Sequence, residues 1–98
     1  MKRLPGLRDF TTTVDGRKTR LQFNRLRFRH GEKVYGWAQP GQIVINPCQK
    51  EREILSTIIH EWTHNTHHHE LQESVVRRHE EELVAILWDH LGYRRVLG

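Results

Sequence analysis

The sequence predicts one α+β domain over residues 1–98: a small antiparallel sheet of two to four strands, a helix bearing an HExxH motif, and a packed C-terminal helix. Three observations predict this class. Apolar residues alternate through much of the first half, they recur at helical spacing through the second half, and no repeat or low-complexity linker divides the chain. A chain of 98 residues can form one small hydrophobic core and little more.

The composition is that of a globular protein, with 36% hydrophobic and 29% charged residues. The longest apolar run, Leu83 to Trp88, has six residues, too few to cross a bilayer, and the N-terminus has no apolar stretch. We therefore expect no membrane segment, no signal peptide and a cytoplasmic location. The single cysteine, Cys48, excludes an internal disulfide and a cysteine-rich zinc site.

Charge is distributed unevenly along the chain. Residues 1–50 hold 11 Lys and Arg against 3 acids, whereas residues 51–98 hold 5 against 9. A basic half attracts polyanions, so nucleic acid is a candidate partner; the alternative is that these charges only provide solubility. Arg25, Arg27 and Arg29 share one face of a predicted strand, which is either a phosphate-contacting stripe or a solvated sheet face.

The first predicted strand region is TRLQFNRLRFRH, residues 19–30. Its apolar positions alternate, but their parity changes between Phe23 and Leu26. A turn or bulge near Asn24 is therefore expected.

The next segment, KVYGWAQPGQIVIN, predicts a hairpin with strands at Val34–Ala38 and Gln42–Asn46. Pro40 presets the first central dihedral of a type II turn, and Gly41 supplies the positive one.

A helix is predicted from about Pro47 to His67, with Asn46 as its cap, although a start nearer Lys50 fits equally well. At about 100° per residue, one face of this helix is apolar. That face comprises Ile54, Leu55, Ile58, Ile59 and Trp62. His60 and His64 point away from it and share a separate face, one turn apart.

A second helix is predicted from about Leu71 to Leu91, ending at Gly92 as a C-terminal cap. Its expected buried residues are Val75, Val76, Leu83, Ile86, Leu87 and Leu91. Because only a short turn of about three residues separates the two helices, they should pack as a hairpin.

The stretch HEWTH, residues 60–64, is an HExxH motif on a predicted helix. One helical turn separates His60 from His64, so both imidazoles can bind one Zn²⁺ at about 2.0–2.1 Å. Glu61 is rotated by about 100° from His60, which suits it to a zinc-bound water rather than to the metal. Zinc lowers the pKa of such a water, and Glu61 would act as the general base of hydrolysis.

A catalytic zinc requires a third protein ligand. His67, His68 and His69 are poor candidates, because the longer HExxHxxGxxH pattern is absent and His68 would stack below His64, out of reach of a metal held by His60. Glu73 and Glu80 on the second helix can both face the first helix. Glu81 and Glu82 are interpreted as solvated.

From GWAQP to the C-terminus, about 60 residues, the chain resembles small HExxH proteins of bacteriophages and bacterial genomes that are grouped with SprT-like and gluzincin-like metallopeptidases. The resemblance is carried by IVINP, EREILSTIIHEWTH, LQESVVRR and LWDHLGYRR. It implies a minimal zincin-like fold, a Zn²⁺ cofactor, and a cytoplasmic location in a bacterium or a phage-infected host cell. It also favours Glu73 as the third ligand.

The resemblance has departures and further implications. SprT-like proteases take a later histidine as third ligand, a role that only His79 or His90 could fill here; the related ImmA/IrrE-like pattern fits EEELV in part and keeps Glu80 as an alternative. In zincins an edge strand pairs with the substrate backbone, and GQIVIN occupies that place. Tyr35, His67 and Tyr93 are unranked candidates for stabilising the oxyanion.

Two functions follow from these observations. The first is a zinc metalloprotease that hydrolyses a peptide bond in a protein or peptide substrate, with His60, His64 and Glu73 as ligands and Glu61 as base. The second is a non-catalytic, zinc-stabilised protein that uses its basic N-terminal strands to bind nucleic acid or a protein partner. A structural zinc would have four protein ligands, whereas a catalytic zinc would have an open position.

Overall fold

Four strands form one mixed sheet in the computed structural model, which describes residues 2–25, 35–67 and 70–96. The strands are β1 (Phe10–Val14), β2 (Arg17–Phe23), β3 (Gly36–Gln39) and β4 (Gln42–Ile45), in the spatial order β1-β2-β4-β3. β1 and β3 run antiparallel to β2 and β4 respectively, whereas β2 and β4 are parallel. The α+β class is therefore confirmed, and the expectation of a wholly antiparallel sheet is wrong.

The side-chain pattern of β4 explains why this strand lies between β2 and β3. Ile43, Val44 and Ile45 are 1%, 2% and 0% exposed, so both faces of β4 are buried, as suits a central strand. In β3, Trp37 and Gln39 are exposed, as suits an edge. The prediction that GQIVIN is the edge strand ahead of the HExxH helix is therefore wrong, and β3 takes that position.

The hairpin β1–β2 is an element that the sequence analysis did not predict. Its turn is Asp15-Gly16, with φ of 50° and 74°, and it joins a threonine-rich strand to β2. An Asp-Gly pair between alternating strands is a strong hairpin signal. The hairpin β3–β4 was predicted; its turn at Pro40 and Gly41, where Gly41 has φ of 82°, confirms that prediction.

The predicted break in the TRLQFNRLRFRH region agrees with the end of β2 at Phe23, just before Asn24. Arg25 is exposed. Residues 26–34, including Arg27 and Arg29, lie outside the described residues. The basic stripe therefore stays a prediction.

The first helix, α1, spans Glu51–Thr66, four residues later at its start than Pro47. The backbone N–H of Lys50 donates to the carboxylate of Glu53 at 3.2 Å, which fixes the start that the sequence left as an alternative. Asn46 instead accepts from the N–H of Cys48 at 3.0 Å, so it caps the preceding turn.

The face of α1 that meets the sheet is only partly the predicted one. Ile54 joins the core with side chains of β2 and β4, and Ile58 packs against that core. Trp62, however, is 44% exposed, so its predicted burial is wrong. The helix is rotated toward Glu61 and Asn65, whose side chains are buried, and Asn65 donates from Nδ2 to the carbonyl of Gln39 at 3.2 Å.

The second helix, α2, spans Glu73–Val84 and continues as a π-helical segment, Ala85–His90, up to Gly92 with φ of 70°. Its contact with α1 confirms the predicted helix packing, and Gly92 confirms the predicted end. Val76 and Val84 are buried, whereas three predicted core residues are exposed: Leu83, Ile86 and Leu91. The side of α2 that faces α1 carries Val76, Glu80 and Val84, which are spaced four residues apart.

Among the described residues, neither helix has the length and apolar composition needed to cross a membrane.

The chain after Gly92 returns to the start of α1. There Arg95 contacts both carboxylate oxygens of Glu51, at 2.6 and 3.1 Å.

Candidate metal centre

His60 and His64 lie on the side of α1 that faces α2. They are one helical turn apart, and their ring centroids are separated by 4.9 Å. Their side chains are 19% and 13% exposed, so the rings are neither solvated nor part of the sheet core. The prediction that they share a face away from the apolar side of α1 agrees with this placement.

Glu73, the first residue of α2, lies opposite both rings. Its Oε1 is 2.8 Å from Nε2 of His60, and its Oε2 is 2.9 Å from Nε2 of His64. One ligand atom from each of the three residues lies within 4.8 Å of the others, so the group could hold a metal ion. These are the three ligands predicted from the sequence: the HExxH motif indicated His60 and His64, and the resemblance favoured Glu73.

The donor set fits a small divalent cation in size and chemistry. Tetrahedral Zn²⁺ with bonds of about 2.0–2.1 Å separates its ligand atoms by about 3.3 Å. The carboxylate-to-imidazole distances of 2.8 and 2.9 Å would lengthen by about half an ångström, and the two imidazole ligand atoms, which lie within 4.8 Å of each other, would be about 3.3 Å apart. Side-chain rotation within one rotamer well is enough for such changes.

Glu80 contacts the other ring nitrogen of His60. Its Oε2 is 2.8 Å from Nδ1 of His60, and its Oε1 accepts a short hydrogen bond from the hydroxyl of Ser56. Although burial alone would raise it, these two hydrogen bonds hold the pKa of Glu80 below its ordinary value. The hydrogen bond to Glu80 in turn raises the pKa of His60.

This position means that Glu80 orients His60 rather than joining the ligand atoms around Glu73. An imidazole that donates its Nδ1 hydrogen to a carboxylate keeps Nε2 available as a ligand atom. Ser56 was not singled out in the sequence. Its spacing of four residues before His60 is the signal that could have indicated it.

Glu61 is buried against β3, with 6% of its surface exposed. Gly36 allows this close approach: a Cβ at that position would lie 3.1 Å from Cγ of Glu61 and 2.8 Å from Cγ2 of Thr57. Burial raises the pKa of Glu61 to about 7; the charge of His60 opposes this shift, and those of Glu73 and Glu80 add to it. Within the described part of the chain, Oε2 of Glu61 is buried without a hydrogen-bond partner.

A buried carboxylate with an unpartnered oxygen is costly unless something polar reaches it. Glu61 follows His60 directly and lies outside the group of three ligand atoms. Glu61 therefore lies next in the chain to one member of the group that could hold a metal ion, without being a member itself.

The other predicted candidates do not join this group. His67, His79 and His90 are exposed, and His68 and His69 lie outside the described residues. Tyr93 is 63% exposed, in the segment after Gly92. Tyr35 precedes β3 and lines a pocket with Ser56 and Glu80.

Comparison with protein-family models, with curated proteins and with solved structures finds no match for this chain. The fold and the side chains by themselves define a small α+β protein. Its first helix carries HExxH, and a carboxylate from the second helix lies beside the two histidines of that motif.

Proposed function

We propose that this protein is a zinc-dependent peptidase of minimal zincin-like architecture. The observation that carries the proposal is the placement of Glu61, whose buried Oε2 has no partner within the described residues and whose charge interacts with those of His60 and Glu73. Nothing in the packing of α1 against the sheet requires a carboxylate there. A proton acceptor for hydrolysis requires one.

The residues would divide the work as follows. His60, His64 and Glu73 would hold Zn²⁺, which when bound polarises a peptide carbonyl and lowers the pKa of a water molecule. Glu61 would accept the proton of that water and deliver it to the leaving amine. Its pKa of about 7, raised by burial, suits a group that must both gain and lose a proton near neutral pH.

The edge strand β3 would contribute to substrate binding. Its register pairs Gly36 with Ile45 and Trp37 with Val44, so within the described residues only one side of β3 is paired. Gly36 also lies close to Glu61. An extended peptide that adds to this edge would pass over the metal centre.

The number of ligands favours a peptidase over the structural alternative. Within residues 2–25, 35–67 and 70–96, the group that could hold a metal has three members, whereas a structural zinc site has four protein ligands. Three ligands leave a coordination position for water and substrate. The nucleic-acid role of the basic N-terminal half remains a separate prediction.

The test is hydrolysis of an unfolded protein substrate by the zinc-loaded protein, with peptide products identified by mass spectrometry. Glu61→Gln should abolish hydrolysis and retain one zinc per chain, because it removes the proton acceptor and leaves the ligands. His60→Ala, His64→Ala and Glu73→Ala should each lose zinc. Full activity of Glu61→Gln, or its loss of zinc, would exclude the assignment.

A further inference from the structure

A small pocket lies along the N-terminal half of α1 and shares Glu80 with the surroundings of His60. Its volume is about 240 Å³. It is lined by Tyr35, Gln49, Glu53, Ser56, Thr57 and Glu80. Pockets for drug-sized ligands are about 300–1,000 Å³, so this one suits a single side chain.

The pocket shares Glu80 with the metal centre. Nδ1 of His60 is 2.8 Å from Oε2 of Glu80, and the imidazole ring adds about 2.2 Å between its two nitrogens. The pocket wall therefore begins roughly 5 Å from Nε2 of His60. An extended lysine side chain reaches about 6 Å from its Cα, so a residue next to a peptide bond at the metal centre can reach the pocket.

The charge of the pocket is negative. Glu53 and Glu80 are carboxylates on opposite helices, and none of the lining residues is a lysine or an arginine. Ser56 and Thr57 use their hydroxyl hydrogens in bonds to Glu80 and Gln49, so their oxygens are left as acceptors. An acidic side chain would be unfavourable among these groups.

Tyr35 also lines the pocket and is 47% exposed, so its ring can turn toward a bound side chain. An aromatic face beside carboxylates is a favourable environment for an ammonium or guanidinium group. The side chain of Gln49, which also lines the pocket, is held in place because its amide donates to the carbonyls of Tyr35 and Asn46 at 3.2 and 2.8 Å.

From this volume, position and lining, we propose that the pocket binds the side chain of a lysine or arginine in the substrate, next to the scissile bond. The proposal rests on the proposed function in that it makes the pocket a specificity site of the peptidase. It names the substrate class: unfolded or extended basic peptides.

Binding can be tested without hydrolysis. The protein is zinc-loaded Glu61→Gln, and the probes are short alanine peptides whose central residue is lysine, arginine, methionine or glutamate. NMR shifts of the Ser56 and Thr57 amides report occupancy of the pocket. Lysine and arginine peptides should bind more tightly than methionine or glutamate peptides, with shifts at both amides.

Variants of Glu53 test whether the charge of this residue causes the preference for lysine and arginine peptides. Glu53→Gln keeps an acceptor for the N–H of Lys50 but removes the charge of this exposed residue, and it should weaken lysine-peptide binding about two- to fivefold. Glu53→Lys should reverse the preference toward glutamate. Glu82→Gln, an exposed change on α2 outside the pocket, is the matched control and should alter neither.

The outcomes separate this inference from the proposed function. Equal affinity for lysine, methionine and glutamate peptides, or selectivity that survives both Glu53 variants, overturns the pocket assignment. Cleavage sites without lysine or arginine at any fixed position also overturn it, and leave the peptidase function standing. Selective binding of basic peptides by a wild-type protein that hydrolyses none supports the pocket and refutes the peptidase.

Discussion

Oε2 of Glu80 lies 2.8 Å from Nδ1 of His60, so the second helix holds the ring of a candidate metal ligand from the side away from Glu73. The hydroxyl of Ser56 donates to the other oxygen of Glu80. This chain of contacts holds the orientation of the His60 ring, and with a metal at Nε2 it would keep the ring hydrogen on Nδ1.

Glu80→Gln should therefore weaken zinc binding about 10- to 100-fold without removing a ligand. The amide can still accept from Ser56 but no longer holds the Nδ1 hydrogen with a charged oxygen. Competition with a chelator of known affinity measures the change. Glu82→Gln is the control and should bind zinc as the wild type does. Complete loss of zinc, equal to that of Glu73→Ala, would make Glu80 a ligand and contradict the assignment.

Zinc should stabilise the folded protein through His60, His64 and Glu73. At a free zinc concentration about 100 times the Kd, binding adds about 2.7 kcal/mol to the free energy of unfolding. For a domain of this size that corresponds to a rise in Tm of about 10 °C or more, measured by thermal unfolding with and without zinc. His64→Ala should abolish the rise. An equal rise in the wild type and in His64→Ala would place the zinc elsewhere.

The buried carboxylate of Glu61 should make the metal-free protein less stable as pH rises. Its pKa in the fold is about 7, above the ordinary value of 4.5, so the protonated form favours folding. Its contribution is fully present below about pH 4.5 and is lost as pH rises through 7.

Glu61→Gln, which does not titrate, should therefore match the metal-free wild type near pH 4 and exceed its free energy of unfolding at pH 8. The difference should be on the order of 3 kcal/mol. Urea denaturation in the presence of a chelator measures it. A difference that is constant with pH would mean that Glu61 is not buried as a carboxyl group.

Gly36→Ala should displace α1 from β3. The new Cβ would lie 2.8 Å from Cγ2 of Thr57, closer than carbon atoms approach, so the helix or the strand must shift. We expect a loss of about 1–3 kcal/mol in stability, measured by urea denaturation, and a fall in hydrolysis with zinc retained. Adding Thr57→Ser removes the nearest methyl group and keeps the hydroxyl that donates to Gln49, so the double variant should recover part of the loss. Equal stability of Gly36→Ala and the wild type would refute the close approach.

Arg95→Ala should loosen the C-terminal segment from α1. Both carboxylate oxygens of Glu51 contact the guanidinium, and the two side chains are 35% and 25% exposed, so the pair should contribute up to about 1 kcal/mol. Arg52→Ala, which breaks a more exposed pair with Asp89, should change the free energy of unfolding less. A larger loss in Arg52→Ala would reverse this ranking of the two pairs.

The sequence by itself determined the features that depend on local spacing. The α+β class, the turn at Gly41, the end at Gly92 and the pairing of His60 with His64 on one helix face all follow from dihedral preferences and helical periodicity. These interactions join residues a few positions apart, so a local pattern contains them.

Tertiary structure alone decided the features that join distant segments. The parallel pairing of β2 with β4 joins segments about 20 residues apart, and the rotation of α1 arises because Asn65 and Glu61 meet β3 rather than solvent. The choice between Glu73 and Glu80 was open because both carboxylates lie on the same side of α2, two turns apart. The register of α2 against α1 decides which of them faces Nε2 and which faces Nδ1 of His60, and packing between helices fixes that register.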